Sequence, residues 1–204
     1  MIDQFYIGGS PCSGKSTVAE ILTKKYDLFY FKVDDDLERY TALGAEKDYE
    51  ICQKQLAMSA EETWMRDSAV QCCEELQWYR EIFEFVVSEM ERITSKKPIL
   101  AEGAAFLPEL MRQMQVSQAR YLCIMPTREF QVFHYRKRKW VPHVLEGCSY
   151  PEKAFENWME RDALFAGAVR KQCRCAGYRT LVTDGGRTAD EMAKEAAVHF
   201  GLEA

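Results

Sequence analysis

The sequence lacks the features that would place the protein in a membrane or hold it together by disulfides or zinc. No apolar run among its 204 residues is long enough to span a bilayer, and no basic segment precedes the first apolar run, so we expect no membrane partner and no signal peptide. The eight cysteines include no C-x-x-C pair, and Cys173 and Cys175 are too close together for a zinc knuckle. We therefore expect reduced thiols in a cytoplasmic protein.

The sequence also lacks the basic excess of a general nucleic-acid binder. Its formal net charge is -5, which argues against nucleic acid as a partner. Hydrophobic residues make up 47% of the chain, enough for one full core, and no repeat or flexible linker divides it. We predict a single domain over residues 1–204.

Five short apolar or aromatic runs predict buried strands. Each run is continuous rather than alternating, as expected where helices cover both faces of a sheet. Helical patterns separate the runs, which predicts an α/β domain with a parallel sheet. The predicted strands are residues 4–7, 29–33, 98–101, 121–125 and 180–183.

Helix starts are marked by a serine or threonine followed three residues later by a glutamate, the pattern of a capping box. The stretch between residues 45 and 95 is rich in aromatic residues and has almost no glycine or proline, so it predicts two or three helices. The predicted boxes are Ser59 with Glu62, Ser149 with Glu152, and Thr188 with Glu191.

Residues 9–16 match the phosphate-binding pattern G-x-x-x-x-G-K-[ST] in full, with a predicted strand before them and a predicted helix after them. Backbone N–H groups of such a loop can surround phosphate oxygens, and the helix adds its positive N-terminal dipole. Lys15 can reach the β- and γ-phosphates, and the Ser16 hydroxyl can ligate Mg²⁺. The alternative is a chance glycine-rich turn. The predicted nucleotide-binding residues are Gly9, Ser10, Pro11, Cys12, Ser13, Gly14, Lys15, Ser16 and Thr17.

Cys12 differs from the other cysteines because it lies in this loop. A helix N-terminus and a lysine nearby would lower the pKa of its thiol. The sequence therefore predicts a thiol at Cys12 that is sensitive to oxidation.

Acidic residues follow the second and third predicted strands, at the sheet edge where ligands of open parallel sheets bind. We predict that Asp34 orients an acceptor hydroxyl and takes its proton, and that Asp36 contacts the acceptor. The alternative for Asp35 or Asp36 is a helix cap. Glu102 is predicted to act on Mg²⁺ through water, and its alternative is a surface turn.

A basic run at residues 136–139 ends the helix after the fourth strand and precedes a segment with proline and glycine. We predict a mobile lid at about residues 136–150. Arg136 is preferred over Arg138 as the catalytic arginine because it shares a helix face with Val132 and Phe133, which we expect to face the protein. The alternative is a solvated basic helix end.

Arg161 lies on the helix after the lid. We predict that it contacts the acceptor, and the alternative is an ion pair within the helix.

In this order along the chain, the loop at residues 9–17, Asp34 to Asp36, Glu102 with Gly103, and Arg136 resemble the motifs of the small P-loop kinases. That group contains shikimate kinase, gluconate kinase, nucleoside monophosphate kinases and chloramphenicol phosphotransferase. The resemblance implies a P-loop NTPase three-layer sandwich with a five-stranded parallel sheet of order 2-3-1-4-5. It also implies ATP and Mg²⁺ at the loop, a helical acceptor region at about residues 38–96, and an arginine lid.

The expected function is therefore an ATP-dependent transfer of a phosphoryl group to a hydroxyl of a small molecule, by a monomer or a homodimer. Three alternatives stay open. A GTPase switch would need an Asn-Lys-x-Asp motif, which the segment after the fifth strand lacks. The others are a kinase of nucleotides or nucleic-acid ends, and a nucleotide-binding protein without catalysis.

Overall fold

A computed structural model describes residues 3–203 and contains a five-stranded parallel sheet in the order β2-β3-β1-β4-β5. The parallel sheet and its predicted order are confirmed, and the strand ends differ from the predicted ones by one or two residues. The strands are β1 (Gln4–Gly9), β2 (Phe29–Lys32), β3 (Ile99–Glu102), β4 (Tyr121–Pro126) and β5 (Arg179–Thr183).

Helices connect the strands and follow the last one. The predicted acceptor region at residues 38–96 contains four of them, α2 to α5. Short 3₁₀ turns precede α2 and β4. The α-helices are α1 (Lys15–Tyr26), α2 (Leu37–Glu46), α3 (Glu50–Ala57), α4 (Ala60–Trp64), α5 (Ser68–Glu91), α6 (Pro108–Gln113), α7 (Arg128–Arg136), α8 (Val141–Val144), α9 (Pro151–Ala176) and α10 (Ala189–Phe200).

The strands are apolar throughout because successive side chains point to opposite faces and both faces are covered. In β1, Phe5 and Ile7 pack against α1 and α10, whereas Tyr6 points to the other face. That second face is covered by residues of α5, α6 and α9, among them Ile82 and Phe165. The predicted three-layer sandwich is confirmed.

A third apolar cluster lies where the predicted lid meets α9. Tyr135, Val141 and Leu145 pack there with Trp158, and Cys12 of the loop after β1 lies against the same cluster. The segment between α7 and α9 is therefore packed against both helices by an apolar cluster that reaches the phosphate-binding loop.

Two of the three predicted capping boxes are present, at Ser59 and at Thr188. The prediction at Ser149 is wrong. Helix α9 begins at Pro151, and the backbone N–H and the hydroxyl of Ser149 both donate to the carboxylate of Glu61 on α4, at 2.7 Å each. An acidic partner from a distant helix replaced the local one. Among residues 3–203, no helix has both the length and the apolarity needed to cross a bilayer.

Candidate active site

The loop at residues 9–16 leaves the carboxyl end of β1 and leads into α1, as the motif predicts. Gly9 has φ +131°, and a Cβ atom there would lie 1.9 Å from the carbonyl oxygen of Ile124 on β4. Only glycine fits so close to the neighbouring strand. Gly14, at φ +80°, makes the left-handed turn into α1. The two glycines of the motif therefore have separate backbone roles.

Lys15 and Glu102 form a buried ion pair at the base of the loop. The Lys15 Nζ atom lies 3.6 Å from Glu102 Oε1, and the Tyr30 hydroxyl donates to Glu102 Oε2 at 3.0 Å. Burial raises the pKa of Glu102, and the positive charge of Lys15 opposes that rise. Glu102 is fully buried, so its alternative interpretation as a surface turn is wrong.

Asp34 faces the loop across a cavity of about 390 Å³. It lies in the 3₁₀ turn Val33–Asp36, which carries the chain from β2 to α2, and it is exposed. The cavity is lined by loop residues including Lys15 and Ser16 and, on the far side, by Asp34 with other residues. These lining residues are Leu37, Tyr79, Ala104, Tyr135, Arg138 and Trp140.

The other two aspartates of this turn point elsewhere. Asp36 pairs with Arg39 at 2.9 Å, and Asp35 pairs with Lys32 at 3.2 Å. Asp36 occupies the N-cap position of α2 without a side-chain capping hydrogen bond, so its capping alternative is wrong. Asp36 is not among the residues that line the cavity beside the loop.

Arg138, rather than Arg136, is the arginine of the basic run that lines this cavity. The Arg138 guanidinium lies 4.7 Å from the centre of the Tyr135 ring, and its Nη2 atom is 3.4 Å from Cys12 Sγ. Arg136 donates to Glu152 at 3.2 Å and lies over the Phe155 ring, on the other side of the lid segment.

The predicted inward face of α7 is wrong because the buried residues are Gln131 and Tyr135. Phe133, expected to face the protein, is 56% exposed. Gln131 is buried because its Nε2 atom donates to Asp162 Oδ2 at 2.8 Å. Gln131 and Tyr135 are four residues apart and therefore share a helix face. Arg138 lies beyond the end of α7, where its backbone N–H donates to the Tyr135 carbonyl oxygen at 3.0 Å. The apolar pattern of the sequence did not predict this buried face, because Gln131 is a polar residue.

Arg161 is largely buried, with 14% of its side chain exposed, in a cluster with two carboxylates. It contacts Glu75 of α5, and its Nε atom lies 2.6 Å from Asp162 Oδ1. Its guanidinium also lies 5.2 Å from the centre of the Trp64 ring. Burial raises the pKa of Glu75 to about 7, and Arg161 opposes that rise. Arg161 was predicted from the sequence to contact the acceptor. In the structure it lies behind the residues that line the cavity and is not one of them.

A second cavity, of about 280 Å³, lies on the other side of the loop. Phe130 and His134 of α7 line it together with Thr183 and Arg187 near the end of β5. The Thr183 hydroxyl donates to the Ser13 carbonyl oxygen at 2.6 Å, which ties β5 to the loop. These residues were not predicted from the sequence, although the spacing of Phe130 and His134 puts them on one face of α7.

All eight cysteines are free thiols. The prediction of a lowered pKa at Cys12 is wrong, because burial raises the pKa of this thiol more than the charges of Arg138 and Lys15 lower it. Cys12 lines both cavities.

Among the described residues, no group of three or more acidic, histidine or cysteine side chains could hold a metal ion by itself. Ser16 and Glu102 flank Lys15 with one hydroxyl and one carboxylate. Such a sparse set suits Mg²⁺, which keeps several waters and takes further oxygens from substrate phosphates.

Comparison with known proteins bears on the fold. No family model matches the chain, and no curated protein matches it. A solved structure, the protein TT1252 from Thermus thermophilus, aligns at a TM-score of 0.55 and 16% identity over 99% of this chain and 100% of that one. Shikimate kinase from Aquifex aeolicus aligns at 0.47 and 18%, over 97% and 96%. A gluconokinase from Sinorhizobium meliloti aligns at 0.47 and 14%, over 98% and 92%. The likeness to TT1252 concerns the fold alone, and this chain combines that fold with a sheet of order 2-3-1-4-5 and a complete phosphate-binding loop.

Proposed function

We propose that the protein is an ATP-dependent phosphotransferase that transfers the γ-phosphoryl group to a hydroxyl of a small molecule. The observation that carries this proposal is the placement of Asp34 opposite Lys15 and Ser16 in one cavity. A lysine for the phosphates and a carboxylate for a hydroxyl are the two groups that phosphoryl transfer to an alcohol needs.

The residues around the loop fit a nucleotide. Gly9 brings the backbone close to β4, and the buried Ser13 hydroxyl has no hydrogen-bond partner among the described residues. Lys15 would hold the phosphates, and the cavity of Phe130 and Arg187 would take the sugar and base. Mg²⁺ held near Ser16, and by Glu102 through water, would neutralise phosphate charge.

In the proposed step, the acceptor oxygen attacks the γ-phosphorus and the bond from that phosphorus to the β–γ bridging oxygen breaks. ADP leaves, and the hydroxyl proton passes to the Asp34 carboxylate. Arg138 lies where its guanidinium can reach the transferring group. Tyr135 and Trp140 cover the cavity and limit the access of water.

ADP release from ATP in the presence of a panel of hydroxyl compounds tests this function. We expect Asp34→Asn to lower turnover about 100-fold, because the amide cannot take the proton, while ATP affinity is retained. Asp35→Asn is the matched control, since Asp35 pairs with Lys32 on the same turn, and its turnover should equal that of the wild type. Full turnover by the Asp34→Asn protein would contradict the role of Asp34.

A second candidate is a kinase of nucleotides or nucleic-acid ends. The observation that favours it is the exposed Trp140 beside the basic residues 136–139, since a basic segment with an exposed aromatic ring suits a single strand. Adding an oligonucleotide with a 5′-hydroxyl to the panel separates the two functions. Release of ADP with the oligonucleotide alone would favour the second candidate.

A further inference from the structure

Buried polar side chains link three helices behind the cavity. Asp162 of α9 is fully buried, and its Oδ2 atom accepts a hydrogen bond from Gln131 Nε2 of α7 at 2.8 Å. Its Oδ1 atom lies 2.6 Å from Arg161 Nε, and Arg161 contacts Glu75 of α5. These four residues, here named the polar network, therefore connect α5, α9 and α7 in one series.

The polar network occupies a place where apolar side chains would also stabilise the fold. Burying an amide or a charge costs free energy unless its atoms are paired, and apolar residues of similar volume often replace buried polar pairs without loss of stability. The neighbouring residues Trp158 and Phe165 of α9 are apolar and buried, whereas Gln131, 1% exposed, is polar. What the amide adds to packing is direction, because its hydrogen bond fixes where α7 lies relative to α9.

Helix α7, which the network holds, also carries a residue of the cavity. Tyr135 lies four residues after Gln131, on the same buried face, and lines the cavity. Burial raises the pKa of the Tyr135 hydroxyl, and the nearby charge of Asp162 raises it further. The Tyr135 ring also packs against Trp158 of α9, with the ring centres 4.9 Å apart. The position of this ring is therefore set from α9.

The position of Arg138 depends in turn on Tyr135. The backbone N–H of Arg138 donates to the Tyr135 carbonyl oxygen at 3.0 Å, and its guanidinium lies 4.7 Å from the centre of the Tyr135 ring and 5.4 Å from that of Trp140. No ion pair within residues 3–203 holds this guanidinium. A long side chain without an ion pair keeps its rotamer freedom unless its neighbours restrict it. The two rings therefore decide where the charge of Arg138 lies.

We propose that Gln131 is a positioning residue: its hydrogen bond to Asp162 holds α7 in the orientation that keeps Arg138 at the cavity. This inference rests on the proposed function, because it names a residue that acts on the transferring group through Arg138. Gln131 itself is not among the described residues that line either cavity.

A double-mutant cycle between Gln131 and Arg138 tests the inference. Gln131→Leu removes the hydrogen bond with little change of volume, and Asp162 keeps its ion pair with Arg161. We expect this change to lower kcat about 3- to 10-fold in the wild type, because a displaced guanidinium stabilises the transferring group less. In the Arg138→Ala protein it should lower kcat less than about twofold.

Equal fold losses in the two backgrounds would show that Gln131 acts on the fold alone and would overturn the inference. If the Gln131→Leu protein does not fold, Gln131→Met takes its place in the cycle, because methionine is unbranched and close to glutamine in length.

A second cycle needs no acceptor. Arg138 lines the cavities on both sides of the loop, so the Kd of ATP, measured by calorimetry, should depend on it. We expect Gln131→Leu to raise this Kd about threefold with Arg138 present, and to leave it unchanged in the Arg138→Ala protein. If no hydroxyl compound is phosphorylated, the proposed function fails, and this cycle alone decides the inference: an equal change in both backgrounds, or none, overturns it. If ATP does not bind, both fail.

Gln71→Leu is the matched control. Gln71 is a second buried glutamine, on α5, and its Nε2 atom donates to the Arg66 carbonyl oxygen at 2.9 Å. This variant should lower Tm about as much as Gln131→Leu, and its effect on kcat should be the same with and without Arg138. A dependence on Arg138 as large as that of Gln131→Leu would show that any lost buried amide disturbs Arg138, and would overturn the specific role of Gln131.

Discussion

The two sides of the cavity are built in different ways. On the nucleotide side, the chemistry comes from consecutive residues, 9–16, held between a strand and a helix. On the acceptor side, it comes from Asp34, Tyr79, Tyr135 and Trp140, which belong to separate elements and meet only in the folded chain. The groups that we propose for phosphate binding are therefore close together in the sequence, whereas those that we propose for acceptor binding come together only through helix packing.

The two sides also differ in charge. Lys15, which pairs with the buried Glu102, and Arg138, which has no ion-pair partner among the described residues, line the part of the cavity where we propose that the phosphates bind. Behind the other side of the cavity, Arg161 pairs with both Glu75 and Asp162. The cations that line the cavity therefore lie close to the phosphate-binding loop, whereas the paired charges of Arg161, Glu75 and Asp162 lie behind the opposite side.

The largest expected effect concerns the nucleotide side. We expect Lys15→Ala to lower turnover about 1,000-fold, because it removes the positive charge that stabilises the transferring group. The exposed Lys24→Ala on the same helix should leave turnover unchanged. ADP release with a saturating acceptor measures both.

Loss of Lys15 also leaves Glu102 buried without its cation, which should lower the free energy of unfolding by about 3–5 kcal/mol. Adding Glu102→Gln to Lys15→Ala should restore much of that stability, measured by urea unfolding, without restoring turnover. Turnover regained together with stability would show that Lys15 has only a structural role and would remove the contrast between the two sides.

A smaller effect is expected where the two sides meet. Arg138→Ala should lower turnover about 10- to 100-fold, because its guanidinium lies over the shared cavity. Arg136→Ala should change turnover less than about twofold, because its partners are Glu152 and Phe155 outside that cavity. The reverse order would support the assignment made from the sequence and would contradict the geometry.

The smallest effect that we expect is a change of the free energy of unfolding with pH. It tests the electrostatic environment of the buried carboxylates behind the cavity. Glu75 has a pKa raised to about 7 by burial, with Asp162 adding to the rise and Arg161 opposing it. Above pH 4.5 the unfolded carboxyl releases its proton while the folded one retains it, so the stabilising contribution is complete below pH 4.5 and is lost as pH rises toward 7. We expect the free energy of unfolding of the wild type to fall by about 1–3 kcal/mol between pH 4.5 and 7.5, relative to that of the Glu75→Gln protein.

Glu74 provides the opposite sign for the same measurement. Hydrogen bonds from Lys54 and Arg66 lower its pKa despite its partial burial, so its contribution is present above pH 4.5 and is lost as pH falls. Urea unfolding at several pH values compares the Glu75→Gln and Glu74→Gln proteins with the wild type. A wild-type curve parallel to that of Glu75→Gln over the whole range would contradict the raised pKa of Glu75.

The sheet was predictable because its strands are apolar on both faces, and the order of the strands followed from the resemblance that the motifs carry. The phosphate-binding loop was equally predictable, since glycines with positive φ and a lysine at a fixed spacing are local requirements. The face of α7 was not predictable, because Gln131 is buried only through Asp162, 31 positions away in the chain. The capping box predicted at Ser149 was wrong for the same reason, since the partner of Ser149 is Glu61 on α4.

By itself, the sequence determined the layers of the sandwich and the position of the phosphate-binding loop, because hydrophobic patterning and turn geometry act between neighbouring residues. Only the tertiary structure decided that Arg138 lines the cavity instead of Arg136, and that Arg161 pairs with Glu75 and Asp162 behind the cavity. Those outcomes depend on which distant side chains share a buried site. There the electrostatic energy of a charge is set by its partners and by its exclusion from water, and neither is written in the local sequence.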